Sequence, residues 1–151
     1  MAGNGSMIDI SSKDVTTRTA TATGCIALGK KAFDVVKKGS CVKGDVLSTA
    51  RVAAIQAVKS TPAIIPMCHP ILIEAIDVNF ALNQHNKSVV VTVIVKSTGK
   101  TGVEMEALCG ASAACLTIYD MLKYIDRTMV ITDVKLIEKT GGKSGDYKRQ
   151  D

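Results

Sequence analysis

The amino-acid sequence predicts a single α+β domain in which an antiparallel four-stranded sheet carries helices on one face. The chain has 151 residues, which is one domain's length and enough to bury a full core without disulfides or metal. Apolar residues make up 46% and charged residues 22%, which excludes disorder as the main state. Hydrophobic periodicity gives the element order β, α, α, β, β, α, β. With one additional helix, this is the order of the split βαβ, or ferredoxin-like, fold.

Local patterns place the elements of the first half. Small and β-branched residues alternate from Thr16 to Leu28, which predicts a strand. A short helix is predicted from Lys30 to Lys38, because Gly39 follows it as a favourable C-terminal residue. A second helix is predicted from Asp45, whose side chain can cap it, to Lys59.

The second half contains a loop, a hairpin, a long helix and a last strand. All three prolines lie between Ser60 and Pro70, which predicts a rigid loop. Strands are predicted from Ile71 to Leu82 and from Ser88 to Lys96, joined by a hairpin turn. A long helix is predicted from Val103 to about Tyr124, and a strand from Arg127 to Glu138.

The two ends of the chain are expected to lie outside these elements. Residues 1–6 are Gly-rich and predicted to be a flexible arm, so that residues 7–151 form the domain, with a Gly-rich basic loop over residues 139–151. Five cysteines without a CxxC pair indicate reduced thiols in a cytoplasmic protein, with no zinc site. No apolar run reaches the roughly 18 residues of a membrane span, so no membrane partner is expected.

The basic excess of the chain is concentrated in one segment. The net charge is +5, and the stretch from Lys30 to Lys59 holds seven basic and two acidic residues, which equals the whole excess. This indicates an anionic ligand, although scattered surface lysines are more commonly just solvated. A nucleic acid is not the expected partner, because aromatic residues make up only 3% and Trp is absent.

Three basic or nucleophilic positions are candidates for ligand binding. Lys43 stands just before a predicted helix N-terminus, where backbone N–H groups and an ammonium group together favour an anion. Lys143 lies in a Gly-Lys-Ser triplet that lacks the earlier glycine of a P-loop but can still face a phosphate. His69 is held on a proline-stiffened loop, although a lone histidine is usually structural. A metal bound by Cys68 and His69 is not expected, since sequence neighbours rarely supply two ligands of one tetrahedral site.

The long helix carries the charged residues that are the best catalytic candidates. Asp120 and Lys123 share a face at a spacing of three and are expected to pair within a mostly buried segment. A partly desolvated carboxylate of this kind is a candidate general acid or base, and a structural ion pair is an equally good interpretation. Glu104 and Glu106 begin the helix, where the helix dipole favours acidic residues in any case.

The spacing along this helix also constrains the site. Glu106 and Asp120 are fourteen residues apart, so they lie on nearly the same face but about 21 Å from each other along the axis. One small substrate cannot touch both within one chain. If both contribute to one site, two subunits must share that site.

Six blocks follow one another along the sequence: DISSKDVTTRTATATG, KGDVLSTAR, IPMCHP, TGVEMEAL, LTIYDMLK and KTGGKSGD. In this order they resemble the cyclic pyranopterin monophosphate synthase family, also called molybdenum cofactor biosynthesis protein C. The resemblance extends from Met7 to Asp146, and six co-linear blocks are more specific than any single motif. Small departures are Met67 before Cys-His-Pro and LCGASAA in the long helix, where the family often has LTAVSVA.

The resemblance implies a lyase that converts 3′,8-cyclo-7,8-dihydroguanosine triphosphate to cyclic pyranopterin monophosphate and diphosphate. It implies Asp120 as the catalytic carboxylate. It implies catalytic or phosphate-handling roles for Lys43, Lys123 and Lys139. Substrate contacts are implied for a further set: Met67, Cys68, His69, Glu104, Met105, Glu106 and Lys143.

The resemblance further implies a ferredoxin-like homohexamer, a trimer of dimers with shared sites. No cofactor and no protein-bound metal are expected, although Mg²⁺ can accompany the triphosphate. The alternatives from the residues alone are a non-catalytic nucleotide- or RNA-binding module and a structural subunit. The first is weak, because the strands offer only Phe80 as a stacking aromatic.

Overall fold

The computed structural model describes residues 5–150 and confirms the α+β, split βαβ architecture. The strands are β1 (Thr16–Ala27), β2 (Ala75–Asn83), β3 (Ser88–Gly99), β4 (Val130–Thr140) and β5 (Tyr147–Lys148). The helices are α1 (Lys30–Lys38), α2 (Val46–Lys59), α3 (Thr61–Ile64) and α4 (Glu104–Leu122). The strands form one antiparallel sheet in the order β2-β3-β1-β4-β5.

Helix α4 packs between α2 and the sheet at very short range. A Cβ atom on Gly110 would lie 2.8 Å from Cγ2 of Val58 on α2 and 3.1 Å from Cγ1 of Val93 on β3. Alternate residues of β3, from Val89 to Val95, are fully buried beneath it. Because the core is built mainly from Ala, Val, Ile and Leu, its side chains are small enough for α4 to approach α2 and the sheet closely.

The local signals for α1 and α2 are confirmed at the residue level. Gly39 ends α1 in the left-handed region, at φ +63°, which glycine adopts without a Cβ penalty. Asp45 caps α2 by accepting a hydrogen bond of 2.8 Å from the backbone N–H of Ser48.

Several of the sequence-based element bounds were wrong. The predicted loop after α2 contains the short helix α3, because Pro62 is tolerated in a first turn. Strand β2 begins at Ala75 rather than at Ile71. Strand β4 begins three residues and ends two residues later than predicted, and it bulges near Asp133, which has φ +52°. The predicted C-terminal loop contains β5, a fifth strand that pairs with β4.

Two further features concern the ends of the chain and α4. Residues 1–4 of the predicted flexible arm, and residue 151, lie outside the described residues. Among the described residues, α4 alone has the length and composition of a membrane-spanning helix, and half of it is buried inside the protein. The core helix of a globular domain meets the same criteria.

Candidate active site

The C-terminal end of α4 and the turn before α2 form a cluster of one carboxylate and two ammonium groups. Lys123 Nζ lies 2.6 Å from Oδ1 of Asp120, and Lys43 Nζ lies 3.5 Å from Oδ2 of the same residue. Lys43 also donates a hydrogen bond of 2.8 Å to the backbone carbonyl of Asp120. The structure therefore brings together three of the four predicted catalytic residues.

The cluster is open to solvent, so the expectation that Asp120 is buried was wrong. Its side chain is 58% exposed, because Met121 and Leu122 direct that turn of the helix into the core and leave Asp120 on the outer side. Hydrogen bonding and charge from Lys123, and then charge from Lys43, lower the pKa of Asp120 below its usual range. The carboxylate is therefore ionised at neutral pH, and the two ammonium groups can face an anion from solvent.

A cavity of about 500 Å³ lies at the other end of α4. Its lining includes six of the seven predicted substrate-contacting residues: Met67, Cys68, His69, Glu104, Met105 and Glu106. The loop before β2 supplies the first three and the first turn of α4 supplies the others. The volume suits a small molecule of nucleotide size.

Glu106 is the buried carboxyl of this cavity. The residue is only 2% exposed, and burial, with a smaller contribution from the charge of Glu104, raises its pKa. Burial and the nearby Glu106 also raise the pKa of the Cys68 thiol, which disfavours a thiolate nucleophile there. Burial therefore favours the protonated, hydrogen-bonding forms of Glu106 and Cys68 in this cavity.

The C-terminal loop closes over itself near the start of β1. Lys139 Nζ donates to Oγ of Ser144 at 2.8 Å and to the carbonyl of Gly145 at 2.5 Å. Lys143 is exposed and lies outside the cavity lining. Lys139 and Lys143 thus join neither the Asp120 cluster nor the cavity through a direct contact in this chain.

Two basic residues of the N-terminal segment were missed by the sequence analysis. Lys13 lines the cavity, and Arg18 is buried on β1, where its Nε donates 2.9 Å to the carbonyl of Gly99. A Cβ on Gly142 would collide with the Arg18 guanidinium, so the C-terminal loop rests on this residue. A charged residue inside an alternating strand was the available signal for Arg18, since such a residue is rarely buried without a purpose.

The two ends of α4 do not meet within one chain. The helix runs without interruption from Glu104 to Leu122, so the separation of about 21 Å between Glu106 and Asp120 applies as predicted. Within residues 5–150, no set of three or more His, Cys, Asp or Glu side chains is arranged to hold a metal ion.

A ferredoxin-like domain with an exposed lysine–carboxylate cluster and a separate cavity of mixed polar and apolar lining has the features of an enzyme for a small anionic substrate. Residues 7–142 match the sequence profile of the MoaC family. The chain belongs to the MoaC family. The predicted resemblance, from Met7 to Asp146, is thereby confirmed.

The similar proteins cover nearly the whole chain. The cyclic pyranopterin monophosphate synthase of Clostridium acetobutylicum is 51% identical over 97% of this chain and 91% of its own length. The protein of the same name from Peptoclostridium acidaminophilum is 48% identical over 99% and 94%. That from Desulfitobacterium hafniense is 50% identical over 99% and 91%.

Proposed function

We propose that this chain is a cyclic pyranopterin monophosphate synthase, a phosphorus–oxygen lyase of molybdenum cofactor biosynthesis. The observation that carries the proposal is identity of about half the residues, over nearly the full length, to bacterial proteins of that name. The reaction converts 3′,8-cyclo-7,8-dihydroguanosine triphosphate to cyclic pyranopterin monophosphate and releases diphosphate. The Lys43–Asp120–Lys123 cluster has the charges that such a reaction needs.

The lysines of the cluster stabilise the departing diphosphate. Cleavage of the phosphorus–oxygen bond concentrates negative charge on the leaving group, and preorganised ammonium groups lower that barrier. Asp120 keeps both ammonium groups within reach, at 2.6 and 3.5 Å, before the substrate arrives. Its ionised carboxylate then serves as the proton acceptor during cyclisation and ring rearrangement.

The cavity at the start of α4 holds the guanine-derived end of the substrate. Both Glu104 and Glu106 can accept hydrogen bonds from the ring nitrogens and exocyclic groups. Burial raises the pKa of Glu106 and so favours its protonated form, in which it can also donate a hydrogen bond or a proton. Met67, Met105, Cys68 and His69 supply apolar and polar walls.

A complete site joins the cluster of one subunit to the cavity of another. The separation of about 21 Å along α4 supports this arrangement, because no small substrate spans both within one chain. The outer face of α4 is also free of charge between the two ends: Leu116 is 61% exposed, and Cys109, Ser112 and Ala113 are half-buried. We propose a homohexamer built as a trimer of dimers, in which such faces are covered. Lys139 and Lys143 of the C-terminal loop then reach the triphosphate in the assembled site.

We propose that the protein needs no cofactor of its own and that Mg²⁺ can accompany the triphosphate. We place the enzyme in the bacterial cytoplasm, because its relatives are bacterial and its five cysteines are free thiols. The non-catalytic RNA-binding alternative is set aside. Phe80 packs beside Arg51 of α2, at 5.5 Å from the ring centre, so it does not form a stacking platform on the open face of the sheet.

The direct test supplies the cyclised guanosine triphosphate and measures diphosphate and the pterin product together. We expect stoichiometric formation of both by the wild-type protein. Folded protein that binds the triphosphate without turnover would contradict the proposal and favour a binding module. Adding and chelating Mg²⁺ in the same assay tests the role of the ion.

A further inference from the structure

The hydroxyl of Tyr124 connects the turn that carries Lys43 to the end of α4. It accepts a hydrogen bond of 3.4 Å from the backbone N–H of Val42 and donates one of 3.7 Å to Sγ of Cys41. The Cys41 thiol in turn donates to the carbonyl of Met121, also at 3.7 Å. The two residues that precede Lys43, Cys41 and Val42, are thus hydrogen-bonded to the C-terminal end of α4 and the residues just after it.

The attachment acts on a turn with little support of its own. The turn from Cys41 to Gly44 is closed by one backbone hydrogen bond of 3.1 Å, and Gly44 has φ +107°. Val42 is 81% exposed, so packing does not hold it. The position of the Lys43 ammonium group relative to Asp120 therefore depends on polar contacts with the helix end.

We propose that Tyr124 is a positioning residue that holds Lys43 against Asp120 through the backbone of Val42. The inference rests on the role proposed above for Lys43. The hydrogen-bond partners of the Tyr124 hydroxyl are Val42 and Cys41, so it acts on Lys43 and Asp120 only indirectly. Partial desolvation and the hydrogen bond to Cys41 raise the pKa of its phenol, so the hydroxyl remains protonated and able to donate at working pH.

The inference predicts a change in the charge environment of Asp120. Two cations face this carboxylate: Lys123 from its own helix and Lys43 from the turn, with the neutral Tyr124 and Cys41 behind the turn. Both cations lower the pKa of Asp120. If the turn is released, the contribution of Lys43 weakens and the carboxylate protonates at higher pH.

The test compares Tyr124→Phe with Tyr119→Phe. Tyr119 lies on the same end of α4, and its hydroxyl donates 3.0 Å to the carbonyl of Arg127 without touching the turn. We expect Tyr124→Phe to lower kcat about tenfold, because a small misplacement of a charged group is costly. We also expect the acid limb of its kcat profile to move to higher pH. Tyr119→Phe should keep the wild-type kcat and profile.

Several results for Tyr124→Phe would overturn the proposal. A Lys43→Ala variant shows whether the failure concerns Tyr124 or the proposed role of Lys43. Wild-type kinetics for Tyr124→Phe would remove the positioning role. A loss of kcat with an unmoved acid limb would assign Tyr124 to stability alone. The same conclusion would follow from a melting temperature so low that the loss of folded protein accounts for the lost turnover. Full activity of Lys43→Ala would reject the proposed role of Lys43 itself, whereas an inactive Lys43→Ala beside a normal Tyr124→Phe rejects only the inference.

Discussion

Asp120, the proposed catalytic carboxylate, lies at the surface of the chain rather than in a pocket. In the proposed mechanism the two ammonium groups beside it do not require burial, because the triphosphate supplies the opposing charge when it binds. An exposed pair contributes little to folding. The substitution of Asp120 should therefore affect turnover and leave stability nearly unchanged.

The first prediction concerns Asp120→Asn. We expect turnover to fall about 10²-fold or more, because the amide cannot accept the proton and no longer holds the two lysines. Lys123→Ala should also abolish most activity and return the Asp120 pKa towards its usual value. Diphosphate release and thermal melting are the measurements. Near-normal turnover of folded Asp120→Asn would exclude the catalytic role.

The second prediction concerns the buried carboxyl of Glu106. Its folded-state pKa is raised above the usual 4.5, so the stability that it contributes is present below that pH and is lost as the pH rises through the raised value. Glu106→Gln removes this titration. The melting temperature of the variant relative to wild type should therefore increase between pH 4 and pH 8. If the difference in melting temperature between the variant and wild type does not vary with pH, burial does not raise the pKa of Glu106.

At the scale of elements, the packing of α4 depends on the missing side chain of Gly110. The third prediction is that Gly110→Ala destabilises the protein by about 1–3 kcal/mol, because overpacking outweighs the helix propensity gained. Val58→Ala on the facing helix should partly restore stability in the double variant, since the nearest clash is with Val58 Cγ2. Chemical denaturation measures both. Additive losses in the double variant would place the strain elsewhere.

The fourth prediction concerns the C-terminal loop and β5. Deleting residues from Gly141 onward removes the partners of Lys139 and the cover of Arg18, while β4 keeps its pairing with β1. We expect a cooperative, folded protein whose KM for the triphosphate rises about tenfold or more. Deleting only residues 150–151 is the control. Unfolding of the longer deletion would assign the loop to the scaffold, and normal kinetics would remove it from the site.

Elements that depend on neighbouring residues were predictable, and those that depend on distant partners were not. Gly39 ends α1 and Asp45 begins α2 through hydrogen bonds to residues no more than four positions away. The sequence alone was therefore enough to predict these two helix ends. Strand β5 exists because Tyr147 and Lys148 pair with β4, and no local pattern records that contact. Asp120 was expected inside because its helix is nearly uncharged, but the helix direction decides which side of the last turn faces solvent. The contribution of Arg18 likewise depends on tertiary contacts.

At the scale of the whole molecule, the cavity and the cluster occupy opposite ends of one helix. The fifth prediction uses subunit mixing to test whether two chains complete a site. One partner in the mixture is Asp120→Asn protein and the other is Glu106→Gln or His69→Ala protein, and each should be inactive alone. Activity should return after subunit exchange, because some mixed interfaces combine an intact Asp120 cluster from one chain with an intact cavity from the other. Exchange is followed by mass labelling. No recovery after demonstrated exchange would place both ends in one chain's site.

The unbroken course of α4 also determines which length changes the family can tolerate. One residue inserted between Glu106 and Asp120 would turn one end by about 100° and move it 1.5 Å relative to the other. Seven residues would nearly restore the angle but lengthen the helix by about 10 Å. In the proposed shared site, neither change would keep both ends aligned with a second subunit. Insertions and deletions should therefore be excluded from α4 and admitted more readily in the exposed turn between β2 and β3.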